Sequence, residues 1–317
     1  MSGSAILIAV DGPQAEEWVD AFRARTDGRP VRVWPHDIGD PAEIGIACVW
    51  RAPMGLLASL PNLRLAVSLG AGVDHLFSDP SLPDVPIIRA THPDLSMRVT
   101  EYVVLHTLRY HRRQPLYDAQ QREGVWKVHP QPAASEVAVG VMGLGVIGSE
   151  AARVLARIGF KVAGWSASPK NIDGVDVFHG VNGLDRFLAR TEILICLLPL
   201  TDDTRGILDR ALFAKLKRDG AAAGAFLINA GRGGLQIDAD ILAALDDATL
   251  TGATLDVFPQ EPLPPESRMW SHRKVTITPH NAGDVLPDFL AADVMAQIAR
   301  LERGESLLHA VDRKRGY

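Results

Sequence analysis

Cysteine is nearly absent from this 317-residue chain, which contains only Cys48 and Cys196. Two cysteines cannot build a disulfide framework, and their spacing is not that of metal ligands. Each lies in a segment predicted as a buried strand, where cysteine behaves as a small apolar side chain. The sequence therefore favours a reducing compartment and predicts no metal site.

Long apolar runs and an excess of basic residues are also lacking. The longest apolar run, at residues 137–148, is too short and too rich in glycine to cross a bilayer. The N-terminus lacks the basic stretch and cleavage site of a secretion signal, so we expect a cytoplasmic protein with no membrane partner. Lys and Arg number 33 against 38 Asp and Glu, a net charge of -5, which argues against a nucleic-acid partner.

What the sequence does contain is a regular alternation of strand-like and helix-like segments, which is typical of an α/β fold. The first strand-like series occupies residues 5–10, 31–34, 46–49, 65–68 and 87–88. After a long helical pattern at residues 96–113, a second series occupies residues 137–142, 161–165, 193–197, 225–228, 253–256 and 275–277. We therefore predict two doubly wound parallel-sheet domains, the first flavodoxin-like and the second of the Rossmann type with six strands.

The chain is long enough for two domains that each bury a core. We predict a dinucleotide-binding domain at residues 99–286. A substrate domain would combine residues 1–98 with residues 287–317, because the last helical segment is expected to return to the first domain.

A glycine-rich loop follows the first strand of the second series. It reads Gly143, Leu144, Gly145, Val146, Ile147, Gly148 and opens a helical pattern. Such glycines permit a tight turn, a close approach of the backbone to a pyrophosphate and close packing of helix on strand. The free amides at the helix start can then bind phosphate. We therefore assign Gly143, Gly145, Val146, Ile147 and Gly148 to a dinucleotide site.

A second glycine pair, Gly70 and Gly72, lacks the third glycine and is not followed by a helix of suitable length. We interpret the turn at Ala71, Gly72 and Val73 as a binding loop for a substrate carboxylate. A plain tight turn is the alternative.

The strand at residues 161–165 bears on the choice between NAD and NADP. In dinucleotide folds this strand usually ends in an acidic residue that binds the ribose 2′-hydroxyl, but here no acid occurs before Asp173. Hydroxyl groups and a lysine suit a 2′-phosphate, so we assign Trp165, Ser166, Ser168 and Lys170 to the cofactor. NADP is favoured over NAD, with either possible.

An arginine, a glutamate and a histidine each follow a later strand of the same sheet. Because ligands bind at the carboxyl ends of parallel strands, we expect Arg232, Glu261 and His280 to form one catalytic site. Arginine can hold the carboxylate of a 2-keto acid, and histidine can exchange a proton with its carbonyl oxygen while glutamate fixes the tautomer. Neighbouring residues are assigned to the cofactor together with His280: Leu198, Pro199, Thr204, Ala230 and Asp256.

Six stretches carry a resemblance to a known family: residues 70–74, 143–148, 198–204, 229–233, 254–262 and 278–283. On these the chain resembles the D-isomer-specific 2-hydroxyacid dehydrogenases over nearly its whole length, and most of all their glyoxylate/hydroxypyruvate reductases. The resemblance implies that Arg232 binds substrate, that His280 and Glu261 are the acid/base pair, and that Trp50 and Arg51 line the substrate side. It also implies a homodimer.

Two features depart from that family pattern. Ala167 stands where close relatives carry an arginine, which weakens the preference for NADP, and residues 219–224 look longer than usual. Two other functions stay open at this stage. One is a non-enzymatic NAD(H)-sensing interaction protein on the same scaffold, and the other is a dehydrogenase of another small anion, such as formate or phosphite.

Overall fold

The computed structural model describes residues 4–10, 15–26, 28–284, 286–313 and 316. The chain divides into two compact units, Met1–Leu95 with Val285–Tyr317, and Ser96–Asp284. Residues 1–3, 11–14, 27, 314–315 and 317 of the predicted substrate domain lie outside the described part of the chain, as does residue 285 of the predicted dinucleotide-binding domain. The assignment of substrate and cofactor roles to residues 1–98 with 287–317 and to residues 99–286 stays a prediction.

The first unit contains a five-stranded parallel sheet. Its strands are β1 (Ala5–Val10), β2 (Val31–Val33), β3 (Ile44–Trp50), β4 (Leu65–Ser68) and β5 (Ile87–Arg89). Helix α1 (Ala15–Arg23) follows β1, and the short helix α2 (Asp74–Phe77) follows β4. The strand order is β2-β1-β3-β4-β5, which is the flavodoxin-like order.

The second unit contains a seven-stranded parallel sheet. Helices α3 (Pro93–His111) and α4 (Gln114–Arg122) precede it. Its strands are β6 (Ala138–Met142), β7 (Lys161–Ser166), β8 (Asp176–His179), β9 (Ile193–Cys196), β10 (Phe226–Asn229), β11 (Gly252–Leu255) and β12 (Val275–Ile277). The connecting helices are α5 (Val146–Ile158), α6 (Gly180–Leu188), α7 (Arg210–Ala214) and α8 (Asp238–Asp246).

The order of the second sheet is β12-β11-β10-β9-β6-β7-β8. The chain therefore changes direction between β6 and β9, and such a switch point leaves a crevice outside the carboxyl ends of the strands. This is the Rossmann arrangement, and it confirms the predicted fold class. The predicted number of six strands is wrong. The additional strand is β8, a short edge strand with partly exposed side chains. It therefore lacks the apolar run that marks its buried neighbours.

The central strands of this sheet are buried on both faces, which explains their nearly unbroken apolar sequences. Along β9, Leu194 and Cys196 belong to one core cluster, whereas Ile193 and Ile195 belong to the cluster on the other face. Both cysteines of the chain are free and fully buried. Burial raises the pKa of the Cys196 thiol to about 12 and raises that of the Cys48 thiol further.

Helix α9 (Pro287–Glu302) closes the first unit. Asp288 pairs with Arg25 at 2.7 Å, and Glu302 pairs with Arg29, both beyond the end of α1. No helix in the described ranges has both the length and the apolar character that crossing a bilayer requires.

Candidate active site

The carboxyl ends of β10, β11 and β12 lie side by side in the second unit. Asn229 is in register with Leu255, and Leu255 is in register with Ile277, so the three strands end at the same level. Arg232 and His280 each come three residues after a strand end, and Glu261 comes six residues after the strand between them. The sheet therefore brings all three predicted catalytic residues to one edge.

His280 and Glu261 are in direct contact. The Nδ1 atom of His280 lies 2.7 Å from Oε2 of Glu261, and Oε1 of Glu261 accepts the Phe258 amide at 2.9 Å. A carboxylate can only accept, so Nδ1 carries the hydrogen of this bond and only Nε2 can exchange a proton without breaking it. The two side chains are 26% and 15% exposed, so a small molecule can reach the imidazole.

The backbone around His280 is held by Asp256. The carbonyl of Asp256 accepts the His280 amide at 2.8 Å. Its carboxylate accepts the Thr278 hydroxyl at 2.6 Å and the amides of Asn281 and Ala282 at 3.0 Å each. Asp256 is 2% exposed. Four bonds thus hold the segment from Thr278 to Ala282, in which His280 has the left-handed value φ 56°.

The loop of Arg232 is held by Asn229. The Asn229 amide group donates to the Arg232 carbonyl at 3.2 Å and to Gln236 at 2.8 Å, while its oxygen accepts the Gly231 amide at 3.1 Å. An Nη1 atom of Arg232 donates to the Gly231 carbonyl at 2.8 Å. The backbone that presents the guanidinium is therefore fixed by a fully buried side chain.

Gly233 joins the arginine loop to the glutamate loop. A Cβ atom at this position would lie 1.9 Å from the carbonyl carbon and oxygen of Phe258. Phe258 is the residue whose amide Glu261 accepts. The two loops are therefore in backbone contact, which only glycine allows.

The glycine loop after β6 has the shape that a dinucleotide needs. A Cβ atom on Gly143 would lie 2.6 Å from the Leu197 carbonyl, and one on Gly148 would lie 1.8 Å from the Gly143 carbonyl. A Cβ atom on Gly145 would meet nothing within 4 Å. The outer glycines are thus required by packing, whereas Gly145 is the N-cap residue of α5 and has open space beside it, as expected of a loop that binds a pyrophosphate. Val146 is exposed and Ile147 is half-buried at this helix start.

The loop after β9 lies across the switch point from this glycine loop. The Thr204 hydroxyl donates to the Pro199 carbonyl at 2.7 Å and accepts the Thr201 amide at 2.8 Å, which closes the turn after Leu198. The Ala230 amide donates to the Cys196 carbonyl at 3.3 Å. The structure therefore places Leu198, Pro199, Thr204 and Ala230 on the edge where the cofactor loop lies.

The residues predicted to face the cofactor ribose divide into two pairs. Trp165 is 9% exposed and donates its indole N–H to the Gly180 carbonyl at 2.9 Å. Ser166 is also buried, and its hydroxyl donates to the Ser168 carbonyl at 2.7 Å. Ser168 and Lys170 are exposed beyond the end of β7. Only the second pair therefore presents side chains to solvent.

The first unit brings its own predicted residues together. A Cβ atom on Gly70 would lie 2.1 Å from Cζ3 of Trp50, and the Arg51 guanidinium lies over the Trp50 ring at 5.9 Å. The Ser68 hydroxyl donates to the Gly72 carbonyl at 2.7 Å. The turn that contains Ala71, Gly72 and Val73 thus packs on the indole of Trp50. As expected, the helix that follows has only four residues.

Sequence reasoning missed the residues that hold the catalytic ones. Asn229 and Thr278 had no assigned role, and Asp256 was assigned only to the cofactor. The available signal was a polar residue at or just after the end of an apolar strand, next to a predicted catalytic residue. Among the described residues no cluster of three or more His, Cys, Asp or Glu side chains could hold a metal ion.

Comparison with known proteins gives consistent matches. Residues 104–282 match the family described as D-isomer specific 2-hydroxyacid dehydrogenase, NAD binding domain. A glyoxylate/hydroxypyruvate reductase A of Yersinia enterocolitica is 38% identical over 96% of this chain and 97% of its own length.

Two solved structures resemble nearly the whole chain. An NADPH-dependent glyoxylate/hydroxypyruvate reductase of Sinorhizobium meliloti, in complex with NADP and sulfate, has a TM-score of 0.93 and 44% identity, with 99% of this chain and 100% of that chain covered. A D-isomer specific 2-hydroxyacid dehydrogenase of Xanthobacter autotrophicus, in complex with NADPH and MES, has a TM-score of 0.93 and 41% identity, with the same coverage.

Proposed function

This chain belongs to the D-isomer specific 2-hydroxyacid dehydrogenase family, and we propose that it reduces small 2-keto acids such as glyoxylate and hydroxypyruvate with NADPH. It is an NAD(P)-dependent oxidoreductase that acts on CH–OH donors. Relatives named glyoxylate/hydroxypyruvate reductase, including an NADPH-dependent one, support this substrate class. A non-enzymatic sensing role is not favoured.

The contact of His280 with Glu261 carries this proposal. A histidine that is oriented by a carboxylate and whose side chain is partly exposed is suited to general acid/base catalysis. It lies at the carboxyl ends of the same strands as Arg232. The planar guanidinium of Arg232 can bind a carboxylate through two hydrogen bonds.

In this mechanism Arg232 binds the carboxylate of the keto acid and orients its carbonyl group. When bound, reduced nicotinamide would supply the hydride. The protonated imidazole of His280 donates its Nε2 proton to the carbonyl oxygen as that oxygen gains negative charge. Glu261 keeps Nδ1–H directed at itself, so the proton that moves is the one on Nε2. In the reverse direction neutral His280 accepts the proton from the hydroxy acid.

The cofactor proposed is NADP in preference to NAD. The end of β7 has no carboxylate to repel a 2′-phosphate, and similar structures are complexes with NADPH or NADP. Ser168 and Lys170 are exposed there and provide a hydroxyl and a cation for the phosphate. Trp165 and Ser166 are bonded within the chain and would support the site from beneath.

The first unit is proposed to supply substrate contacts from Trp50, Arg51 and the amides of Ala71, Gly72 and Val73.

We also propose a homodimer in the cytoplasm. An exposed apolar segment supports the dimer, since Trp126 is 98% and Val128 is 82% exposed while Gln120 holds the carbonyls of Val125 and Lys127. The net charge of -5 supports the absence of a nucleic-acid partner.

A substrate panel with both cofactors tests the proposal. Glyoxylate, hydroxypyruvate, pyruvate, formate and phosphite are offered with NADPH or NADH, or with the oxidised cofactors where the compound is a reductant. We expect turnover of glyoxylate and hydroxypyruvate with NADPH. Turnover of formate or phosphite alone would replace the proposal, and the absence of any turnover with intact cofactor binding would favour the sensing role.

A further inference from the structure

A tyrosine of α3 is hydrogen-bonded to the segment that contains His280. The hydroxyl of Tyr102 lies 2.7 Å from that of Thr278, and the Thr278 hydroxyl lies 2.6 Å from Oδ1 of Asp256. Asp256 in turn accepts the amides of His280, Asn281 and Ala282. A continuous chain of hydrogen bonds therefore leads from the helix to the catalytic loop.

The direction of these bonds follows from the chemistry of the groups. The carboxylate of Asp256 can only accept, so the hydroxyl hydrogen of Thr278 is donated to it. Thr278 must then accept from Tyr102, which is the donor at the start of the chain. Burial raises the pKa of Tyr102 above its ordinary value, so its hydroxyl keeps the proton that it donates.

This chain of bonds matters because His280 has a left-handed backbone conformation, with φ 56°. Such a conformation in a residue other than glycine is sparsely populated and persists only where the surroundings impose it. Here Asp256 imposes it, through its carbonyl at residue 280 and its carboxylate on both sides of that residue. The Thr278 hydroxyl is one of the three donors that orient this carboxylate, and among the three it is the one from a side chain.

We propose that Tyr102 and Thr278 are positioning residues for proton transfer, holding Asp256 so that the imidazole of His280 keeps its place against Glu261. The inference rests on the proposed function of His280. Tyr102 itself does not act on substrate or cofactor, and its effect passes through Thr278 and Asp256.

The chain offers a matched control on the same helix. The hydroxyl of Tyr110, eight residues after Tyr102, lies 2.7 Å from the hydroxyl of Thr254 on β11. This is also a tyrosine–threonine bond, with the same length and from a buried tyrosine, and both tyrosines pack on another aromatic ring, Tyr102 on His106 and Tyr110 on Phe226. The Thr254 side chain is not part of the bonds around Asp256 and His280.

The test compares Tyr102→Phe with Tyr110→Phe. Both remove one hydroxyl and keep the ring, so we expect similar decreases in thermal midpoint. We expect Tyr102→Phe to lower kcat about 10-fold with little change in KM for the keto acid, because the acid is displaced rather than lost. Tyr110→Phe should leave kcat unchanged. Equal kcat values for the two variants would overturn the proposal.

Variants of Thr278 provide a second comparison. Thr278→Ser keeps a hydroxyl and should retain at least half of the wild-type kcat, whereas Thr278→Val removes both the acceptor and the donor and should lose about 10-fold. If Thr278→Val does not fold, the comparison of Thr278→Ser with Tyr102→Phe still decides whether the hydroxyl of residue 278 has this role. A loss in Thr278→Ser as large as in Tyr102→Phe would contradict a role for the hydroxyl.

A measurement without substrate separates this inference from the proposed function. The ring signals of His280 can be assigned by nuclear magnetic resonance from their loss in His280→Asn. They should move in Tyr102→Phe and stay in place in Tyr110→Phe. If wild-type protein reduces no keto acid yet these signals move, the proposed function fails and the structural link stands. If the protein is active and the signals do not move, the positioning role fails.

Discussion

The backbone of Gly233 is in direct contact with the backbone of Phe258, at a distance where no side chain fits. A Cβ atom at residue 233 would lie 1.9 Å from the Phe258 carbonyl oxygen. Because Arg232 precedes this glycine and Glu261 accepts the Phe258 amide, the contact fixes the arginine loop against the glutamate loop. The relative placement of the proposed substrate-binding group and the proposed catalytic group thus depends on the absence of one methyl group.

Gly233→Ala should therefore lower kcat/KM by about 100-fold or more, since a shift of about 1 Å in catalytic groups has that effect. The control is Gly183→Ala in α6, where a Cβ atom would make an ordinary contact at 3.4 Å with Phe178. That variant should be fully active and slightly more stable, because alanine favours a helix. Steady-state kinetics of both variants check this expectation. Near-normal activity of Gly233→Ala would show that the two loops move independently.

Glu261→Gln should lower kcat about 10²- to 10⁴-fold. The glutamine oxygen can still accept the Phe258 amide, but its NH₂ group would then face Nδ1 of His280. This arrangement favours the tautomer with hydrogen on Nε2 and disfavours the protonated ring. His280→Asn should show a loss in the same range. Steady-state kinetics in both reaction directions check these losses. A Glu261→Gln variant that turns over at the full wild-type rate would contradict the assigned pair.

Lys170→Ala should raise the KM for NADPH about 10-fold and leave the KM for NADH unchanged, as expected for the loss of one exposed charged contact to the 2′-phosphate. The control is Lys161→Ala, which removes an exposed lysine at the start of β7, whereas Lys170 lies beyond the end of that strand. A complementary variant, Ala167→Arg, should strengthen the preference for NADPH. If Lys170→Ala affects both cofactors equally, the 2′-phosphate is bound elsewhere.

Because of His106, the stability of the second unit should decrease as the pH is lowered. Burial, followed by the nearby Arg109, lowers the pKa of His106 to about 4 from an ordinary 6.5. The unfolded chain therefore binds the extra proton between these values. Stability is fully present above pH 6.5 and is lost as the pH falls toward 4, by about 1–2 kcal/mol at pH 5. Burial also lowers the pKa of His111 below its ordinary value, so this residue adds to the same pH dependence.

His106→Leu should flatten this dependence. Thermal midpoints at pH 7.5 and pH 5.0 measure it, with His309→Leu, an exposed position in the first unit, as the control. The wild type and the control should lose stability together on acidification, and the His106 variant should lose less. Parallel curves for all three proteins would show that His106 does not contribute.

Glu192→Gln should destabilise the protein by about 1–3 kcal/mol without a change in kcat. Glu192 is fully buried, and its two oxygens accept the amides of Ala138 and Ala222 at 2.8 and 2.7 Å. Glutamine has only one acceptor, so one of these amides would lose its partner. Urea unfolding compared with kinetics checks both halves of the prediction. A loss of kcat in fully folded variant protein would contradict it.

The position of Glu192 also explains why residues 219–224 do not alter the site. This segment precedes β10 and is held where β6 and β9 begin, at the amino ends of the strands. Arg232, Glu261 and His280 follow the carboxyl ends. The sequence showed the segment as a departure from the family but could not tell which edge of the sheet it would occupy.

Other features were predictable to different degrees. The β–α alternation and the glycine loop specify the fold, because buried parallel strands and a phosphate-binding helix start each have a local sequence pattern. The edge strand β8 has no such pattern. The contacts of Asp256 and Asn229 depend on side chains that meet only after the strands are in register, so local sequence could not reveal them.

The burial of Cys48 and Cys196 has a practical consequence for spectroscopy. Neither thiol is accessible and both have raised pKa values, so neither should react with maleimides in the folded protein. A cysteine introduced at the exposed position Asp219 would then be the single reactive thiol. Since that position lies at the amino ends of the strands, a fluorophore or spin label there would report on the molecule while remaining remote from the chemistry.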